Sequence, residues 1–260
     1  MFSINSGGGH DNHLQQRGIY ELIRLKKIAE VSFPTRWAPF RLLAFERQDK
    51  GRGPVDCETA LALVLGDIHA KPPLVRIHSQ CATGDIFHSL RCDCHDQLHL
   101  ALRSIANEGA GILLYEHQEG RGIGLMEKLR AYELQDAGLD TIEANLHLGH
   151  GVDLRDYCLS VEILRFLKVF SLRLMTNNPE KIKAVASSNI HIVERISAEV
   201  FVSPHAARYF ATKRDKMGHL AGSDNPIQIS CEITSQDASP APESTPCCAK
   251  TEGVTLGLHS

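Results

Sequence analysis

The sequence lacks a long apolar run and lacks an excess of charge of either sign. No apolar segment is long enough to cross a bilayer, and the N-terminal stretch MFSINSGGGHDNHLQQRG has no continuous apolar core of a signal peptide. Lys and Arg number 28 against 31 Asp and Glu, which gives a formal net charge of -3. That balance excludes a broad basic footprint for nucleic acid or an anionic membrane surface. We therefore expect a cytoplasmic protein without a nucleic-acid or membrane partner.

Cysteine is not abundant, but three of the 8 cysteines crowd into one segment. The stretch CATGDIFHSLRCDC places Cys81, Cys92 and Cys94 in the spacing C-x10-C-x-C. Thiols stay reduced in the cytoplasm, so a tight cluster there indicates metal binding or catalysis rather than a disulfide framework. Three thiolates form a good soft-ligand set for zinc.

The number of ligands decides what such a zinc would do. Structural zinc usually has four protein ligands, whereas catalytic zinc often has three and leaves the fourth position to water. An open site would lower the pKa of the bound water toward neutrality and present hydroxide to a substrate. Two alternatives stay open: a closed Cys3His structural site, and a set of buried reduced cysteines without metal. The fourth ligand of a closed site would be one of four nearby histidines: His78, His88, His95 or His99.

Composition divides the chain into three parts. Residues 1–18 resemble a flexible leader. Residues 221–260 are rich in Ser, Pro, Thr and acidic residues, with too few apolar residues to pack, which predicts a disordered tail. The domain that carries the motifs is expected over residues 19–220. A metal site in the tail is disfavoured, because no ordered ligands surround its cysteines, Cys231, Cys247 and Cys248.

Strand-like and helix-like segments alternate between these ends. The first half is strand-rich and the second half alternates, which predicts an α/β fold: a mixed sheet flanked by helices, with a strand-rich N-terminal part. Strands are predicted over residues 28–35, 40–47, 59–67, 72–79, 110–116, 172–176 and 190–196. Helices are predicted over residues 93–108, 123–137, 157–167 and 179–188, with Leu125, Leu129 and Tyr132 on one face of the second.

Three further segments are typical of anion sites. HQEGRGIG follows a predicted strand and opens a helix, a junction that points backbone N–H groups and the positive end of a helix dipole toward an anion. In TNNPEK, Asn178 is a natural N-cap, and Lys181 lies in the first helical turn, where an anion would hold it. In GHGVDLRD, Asp153 and Arg155 form a carboxylate–arginine pair. Taken singly, these segments also fit a polar turn, a solvated lysine and a loop ion pair.

Together, a zinc-hydroxide, several anion sites and a carboxylate–arginine pair suit a nucleoside triphosphate with an electrophilic carbon on its base. The motifs also resemble those of the GTP cyclohydrolase II family, which carries out the first step of riboflavin synthesis. The resemblance covers about Lys27 to Leu220 and rests on seven motifs in order: RIHSQCATGD, SLRCDC, QEGRGIGL, RAYELQD, LGHGVDLRDY, TNNPEK and TKRDKMGHL. The butanone-phosphate-synthesising domain often fused to this enzyme is not expected, since the chain has no room for it.

The resemblance implies a reaction and a role for each motif. Zinc-bound water would attack C8 of guanine, open the imidazole ring and release formate, with Tyr132 helping the intermediate to lose it. Arg155 would attack the α-phosphate and displace pyrophosphate, with Asp153 as general base and Mg²⁺ neutralising phosphate charge.

The resemblance also implies a homodimer and assigns the binding residues. One zinc per subunit would be held by Cys81, Cys92 and Cys94. The GTP contacts would be Arg76, Ile77, His78, Ser79, Gln80, Gln97, Glu119, Gly120, Arg121, Thr141, Thr176 and Lys181.

Two positions depart from the family pattern beside the zinc ligands. Gln80 stands where glutamate is usual, and His95 stands where glycine usually follows C-x-C. They leave two alternatives open: a paralogue that stops at a formylated, ring-opened nucleotide, and a non-catalytic GTP-binding regulator with a closed structural zinc. The retained Tyr132 favours the full reaction. A zinc nucleobase deaminase is disfavoured, because the H-x-E and P-C-x-x-C signature is missing.

Overall fold

A seven-stranded mixed sheet runs through the computed structural model, which describes residues 23–49 and 58–200. The strands are β1 Ile23–Pro34, β2 Pro39–Asp49, β3 Glu58–Leu65, β4 Leu74–Ser79, β5 Gly111–Glu116, β6 Ser171–Met175 and β7 His191–Ile196. In the described residues their order in the sheet is β1-β2-β3-β5-β4-β6-β7. The first four strands in this order pair antiparallel, and β5, β4, β6 and β7 pair parallel, which confirms the predicted mixed α/β fold.

Side-chain patterning explains the position of each strand in the sheet. β3 alternates, with Ala60, Ala62 and Val64 buried and the residues between them half-buried. β4 and β5 are almost continuously buried, as expected for central parallel strands covered on both faces. β1 is an edge strand with an exposed surface, on which Lys27 and Glu30 form an ion pair.

Helices cover both faces of the sheet. Leu159, Ile163 and Leu164 of the helix Cys158–Phe166 belong to the larger apolar core, while Leu100 and Ile105 of the helix Cys94–Glu108 belong to the second core. The helices are α1 Ala82–Asp85, α2 Cys94–Glu108, α3 Leu125–Asp136, α4 Thr141–His147, α5 Cys158–Phe166 and α6 Pro179–Ala186, and a 3₁₀ turn spans Glu119–Gly122. No helix among the described residues is both long and apolar enough to cross a membrane.

The predicted caps are confirmed. Gly109 ends α2 in the left-handed conformation with φ 70°. Asn178 caps α6 by accepting a hydrogen bond from the backbone N–H of Glu180, and Pro179 follows at the first helical position.

The helices α1 and α4 were not predicted from the sequence, and the predicted apolar face of α3 is wrong. A capping box of Asp140 and Glu143 starts α4, so the pattern D-x-x-E was a usable signal. The expected apolar face of α3 does not pack into a core, because Leu129 is 41% exposed. The buried residue of that helix is Ala131, and Tyr132 turns toward a cleft.

The parallel strands place the candidate site. Ser79 at the end of β4 pairs with Glu116 at the end of β5, and β6 ends beside them at Met175. Ligands of open α/β sheets bind outside the carboxyl ends of such strands. The predicted leader, the predicted tail and the TKRDKMGHL motif lie outside the described residues.

Candidate active site

Three thiols converge between the end of β4 and the start of α2. Cys81 is the N-cap residue of α1, and its sulfur accepts a hydrogen bond from the backbone N–H of Gly84. Cys94 is the first residue of α2, and Cys92 lies in the turn before it. The three sulfur atoms lie within 4.8 Å of one another, and 3.7 Å separates those of Cys81 and Cys92.

The residues of this sulfur group fit a divalent metal ion. A Cβ on Gly84 would lie 2.9 Å from the Cys92 sulfur and 3.1 Å from the Cys81 sulfur, so only glycine leaves the group open. Hydrogen bonds from Cys92 and Cys94 lower the pKa of the Cys81 thiol. The same bonds raise the pKa of Cys92 to about 11 and that of Cys94 well above its usual value. Ionisation of one thiol therefore disfavours ionisation of a second, and a bound divalent cation such as zinc removes this repulsion between thiolates.

No histidine joins the sulfur group in the part of the chain that the structure describes. His78 is buried on β4, and its Nε2 lies 3.2 Å from Asp85 Oδ1. The Asp85 carboxylate also accepts hydrogen bonds from the backbone N–H of Cys81 and from the hydroxyl of Tyr115. Burial lowers the pKa of His78, although Asp85 opposes the shift. His78 therefore positions the loop that begins α1, and the Cys3His alternative gains no support from this geometry.

A buried ion pair borders the sulfur group. Lys128 Nζ lies 2.7 Å from Glu119 Oε1 and 3.1 Å from the Cys81 sulfur. The other carboxylate oxygen of Glu119 accepts a hydrogen bond from the backbone N–H of Ala82. Burial by itself would lower the pKa of Lys128, but Tyr132, Cys81 and Glu119 outweigh burial and raise it. Lys128 therefore stays cationic and stabilises negative charge on both neighbours.

The turn after β5 has an unusual backbone. Gly120 and Arg121 both have left-handed conformations, with φ of 62° and 61°. Because left-handed φ is strained for a residue with a Cβ, Arg121 is held there by its surroundings. Its carbonyl accepts a hydrogen bond from the backbone N–H of Leu154. This contact joins the E-G-R motif to the D-L-R motif.

Asp153 and Arg155 form a bidentate pair. Arg155 Nε lies 2.9 Å from Asp153 Oδ1 and Nη2 lies 2.5 Å from Oδ2. Burial would raise the pKa of Asp153, but the hydrogen bonds and charge of Arg155 lower it below its usual value. The carboxylate is ionised at neutral pH and fixes the direction of the guanidinium group.

A group of cations lies where β4 and β6 end. Arg76 and Lys181 are buried, and Arg155 is close enough to lower the pKa of both. Burial is the largest cause of the lowered pKa in each, and the charge of Arg155 adds to it in both, while Asp93 opposes the shift at Arg76 and Glu116 opposes it at Lys181. Lys181 Nζ donates to the carbonyl of Ile77 at 2.8 Å, and Arg76 donates to the carbonyl of Met175 at 3.1 Å. An anion bound here would relieve the repulsion.

One cleft collects most of the residues predicted from the motifs. It is open to solvent and holds about 690 Å³ of empty space, counting its open mouth. Its lining includes eleven predicted residues: Ser79, Gln80, Cys81, Cys92, Cys94, Glu119, Gly120, Arg121, Tyr132, Thr141 and Arg155.

The other predicted residues lie behind the cleft wall. Gln97 accepts a hydrogen bond from Arg76 at 2.6 Å, so it orients that guanidinium group. The Ile77 side chain is in the core, and only its carbonyl is part of the polar network. The hydroxyl of Thr176 accepts from the backbone N–H of Asn178 and supports the start of α6. The remaining members of this set are Arg76, His78, Asp153 and Lys181.

Comparison with known protein families decides the class of this protein. Residues 26–197 match the GTP cyclohydrolase II family. The chain belongs to this family. The match covers the cleft, the sulfur group and the cation group, so all three are parts of a GTP cyclohydrolase II domain.

Relatives of different length share this domain. The GTP cyclohydrolase-2 of Escherichia fergusonii is 49% identical over 201 residues, which cover 77% of this chain and 98% of that protein. The GTP cyclohydrolase-2 of Pseudomonas putida is 49% identical over 203 residues, covering 78% of this chain and 96% of that protein. Riboflavin biosynthesis protein VVA0006 of Vibrio vulnificus is 48% identical over 208 residues, which cover 80% of this chain and 54% of that protein. The chain therefore spans about half of that longer relative.

Sequence reasoning missed three residues of the GTP cyclohydrolase II cleft or its supports. Lys128 had no motif to mark it, although it shares a helical face with Tyr132 at a spacing of four residues. Arg91 stacks over the Tyr132 ring at 4.7 Å and also lines the cleft. Asp85 was visible only as one acidic residue of a loop, and its three partners come from different elements.

Proposed function

We propose that the chain opens the imidazole ring of GTP and releases formate and pyrophosphate. The product is 2,5-diamino-6-ribosylamino-4(3H)-pyrimidinone 5′-phosphate, the first intermediate of riboflavin synthesis. The observation that supports this most directly is the single cleft lined by the sulfur group and by Arg155. One end suits metal-assisted attack on a base, and the other suits a chain of phosphates.

The cation group supplies the phosphate end. Arg155 lines the cleft, and the buried Arg76 and Lys181 lie behind it. Their mutual repulsion is relieved when phosphate oxygens bind, so much of the affinity for GTP comes from charges that the fold has already desolvated. Mg²⁺ bound to the phosphates would neutralise the remaining negative charge, as is usual for nucleoside triphosphates.

The sulfur group would supply the metal ion that acts on the purine base. Cys81, Cys92 and Cys94 would hold one zinc ion, which supplies Lewis acidity toward water and toward the purine. Lys128 stabilises the thiolate of Cys81, and Glu119 fixes the backbone of α1 at Ala82. Because the Glu119 carboxylate is engaged by Lys128 and by backbone N–H groups, it acts mainly as a positioning residue. Recognition of the purine edge then falls to other residues of the cleft lining, Ser79 and Arg121 among them.

Tyr132 lines the cleft and carries a proton there. Burial raises the pKa of its phenol above the usual value, so the hydroxyl stays protonated at neutral pH. Arg91 lies over the ring at 4.7 Å and Lys128 at 5.8 Å, which holds the ring in place. A protonated phenol in this position can donate to the formamide nitrogen as formate leaves.

Arg155 has a separate role at the α-phosphate. In the proposed step the guanidinium nitrogen passes one proton to Asp153, forms a bond to the α-phosphorus and displaces pyrophosphate. Water then cleaves the phosphorus–nitrogen bond, which restores the arginine and leaves the nucleoside monophosphate. The bidentate pair favours this step because it holds the Nε and Nη2 edge of the guanidinium and fixes its direction. A simpler role, binding phosphate as a cation, is the alternative.

Product analysis tests the proposal. Zinc-loaded protein is incubated with GTP and Mg²⁺, and formate, pyrophosphate and the mass of the nucleotide product are measured. Release of both small products at equal rates supports the full reaction. Retention of the formyl group would indicate a paralogue that stops at the ring-opened nucleotide. Gln80, which lines the cleft, is the residue that raises this alternative. Absence of both products rejects the proposed activity.

Three further properties belong to the same proposal. A homodimer is supported by the exposed apolar residues of the edge strand β1, Ile28, Val31 and Phe33. Residence in the cytoplasm is supported by a cysteine group that needs reduced thiols. The absence of a nucleic-acid or membrane partner is supported by the formal net charge of -3.

A further inference from the structure

One buried amide in the cleft is bonded to no other protein group. Asn145 lies on α4, is 3% exposed and lines the cleft. Among the residues that the structure describes, none forms a hydrogen bond with its side-chain carboxamide. Buried amides are normally hydrogen-bonded, because a desolvated donor or acceptor without a partner costs stability. Packing alone therefore does not explain an amide at this position.

The helix holds this amide in a fixed position. The capping box of Asp140 and Glu143 secures the first turn of α4, and Ala144 anchors the helix at 0% exposure. The carbonyl of Asn145 accepts a hydrogen bond from the backbone N–H of His150 just beyond the helix. Thr141, four residues earlier, lies on the same helical face and also lines the cleft. The two side chains therefore approach a ligand from one rigid element.

The amide belongs to the end of the cleft that adjoins the sulfur group. The helix α4 packs against α3, and Tyr132 and Gln135 of α3 line the same cleft. Lys128 of α3 reaches the Cys81 sulfur at 3.1 Å, so the wall formed by these two helices is joined to the sulfur group. The cation group lies elsewhere, at the ends of β4 and β6. An uncharged donor and acceptor on this wall suit a nucleobase better than a phosphate.

We propose that Asn145 determines specificity for the base by binding the lactam edge of guanine. Its carbonyl oxygen accepts from N1–H, and its amino group donates to O6. Guanine presents this donor and this acceptor side by side, which is the complement of a carboxamide. The assignment rests on the proposed reaction with GTP. The fold leaves the amide without a protein partner, so the bond to the base recovers a desolvation cost that is already present.

Two ligands that differ by the base test this role. Equilibrium dialysis with the zinc-loaded full-length chain and Mg²⁺ measures the Kd of each. The first is a GTP analogue with carbon in place of N7 and a methylene bridge between the α and β phosphorus atoms, so that neither proposed cleavage can occur. The second is ribose 5-triphosphate, which has no base. Asn145→Leu keeps the approximate volume and removes both hydrogen-bonding groups. It should weaken binding of the analogue by roughly tenfold or more and leave ribose 5-triphosphate unchanged.

Thermal unfolding separates recognition from a structural role. Because the amide bonds to no described protein group, Asn145→Leu should unfold at or above the Tm of the wild-type protein. His147→Gln, at an exposed position of the same helix, should leave both Kd values unchanged. Asn145→Ala repeats the measurement if the leucine variant does not fold.

The outcomes also separate this role from the proposed function. Unchanged binding of the analogue in the Asn145 variants, or equal weakening of both ligands, overturns the role of Asn145 and leaves the proposed function standing. Wild-type protein that binds neither ligand contradicts the proposed function, and the assignment of Asn145 falls with it.

Discussion

Replacing Lys128 with methionine tests whether the buried ion pair beside the sulfur group stabilises the domain. Methionine keeps most of the volume of the lysine stem and removes the ammonium group. The side chains of Lys128 and Glu119 are only 11% and 8% exposed, so the variant leaves the Glu119 carboxylate desolvated without its cation. The Cys81 sulfur loses the same neighbour, since Nζ lies 3.1 Å from it.

The expected cost follows from the contacts that remain. Breaking a buried ion pair from one side costs about 3–5 kcal/mol. Glu119 still accepts hydrogen bonds from the backbone N–H groups of Ala82 and Gly120, which retain part of its stabilisation. We therefore expect a loss of about 2–3 kcal/mol. For a domain of this size, 1 kcal/mol shifts Tm by about 2–4 °C, so Lys128→Met should lower Tm by roughly 5–10 °C.

Thermal unfolding of a double-mutant cycle measures the coupling. Wild-type protein, Lys128→Met, Glu119→Gln and the double variant are compared at one fixed zinc concentration, because bound metal raises Tm. The double variant should unfold at a higher temperature than Lys128→Met, since no isolated charge remains. Lys183→Met is the matched control: its side chain is 76% exposed, and its pair with Glu180 spans 3.7 Å. If Lys128→Met unfolds within about 2 °C of that control, the argument for a stabilising pair is wrong.

Three further predictions rest on other contacts. Burial raises the pKa of Glu116 to about 7, above its unfolded value of 4.5. The folded state therefore binds the extra proton, and the free energy of unfolding falls as pH rises from about 5 to 8. Glu116→Gln, with Ser160 still beside it, should flatten that pH profile and raise Tm at pH 8 by removing a penalty of about 1–3 kcal/mol. Gly84→Ala should lower the zinc content measured by metal analysis, because the added methyl meets the Cys92 sulfur at 2.9 Å; full zinc content would show that the group relaxes. Arg155→Ala should abolish pyrophosphate release, and near-normal release would return Arg155 to a phosphate-binding role.

The order of strands and helices was readable from local patterns, because each segment carries its own signal. The buried runs of β4 and β5, the glycine after α2 and the Asn-Pro start of α6 are all local features. The helix α4 also had a local signal in its capping box, which length alone obscured, since it spans only seven residues, Thr141–His147.

Contacts between distant segments were not readable in this way. Lys128 and Glu119 are nine residues apart, and the Cys81 sulfur that Lys128 also contacts is 47 residues away. The contacts of Lys128 with these two residues depend on how α3 packs against the 3₁₀ turn, and the periodicity of the sequence does not predict that packing. The same limit applies to Asp85, which looks like an ordinary loop carboxylate until His78, Tyr115 and Cys81 are brought to it.

The site is recognisable because it breaks the rules that the rest of the domain obeys. Arg76 and Lys181 are buried, and both lie close enough to Arg155 for repulsion to lower their pKa, while the pKa of the neighbouring Glu116 carboxyl group is raised to about 7. A β-carbon normally avoids left-handed φ, yet Arg121 adopts it at the cleft. Both departures cost stability that the two apolar cores must offset, and a bound anion would relieve the repulsion between the cations. A fold selected only for stability would not retain them together, so their coincidence at the ends of the parallel strands is itself an argument for a phosphate-bearing substrate.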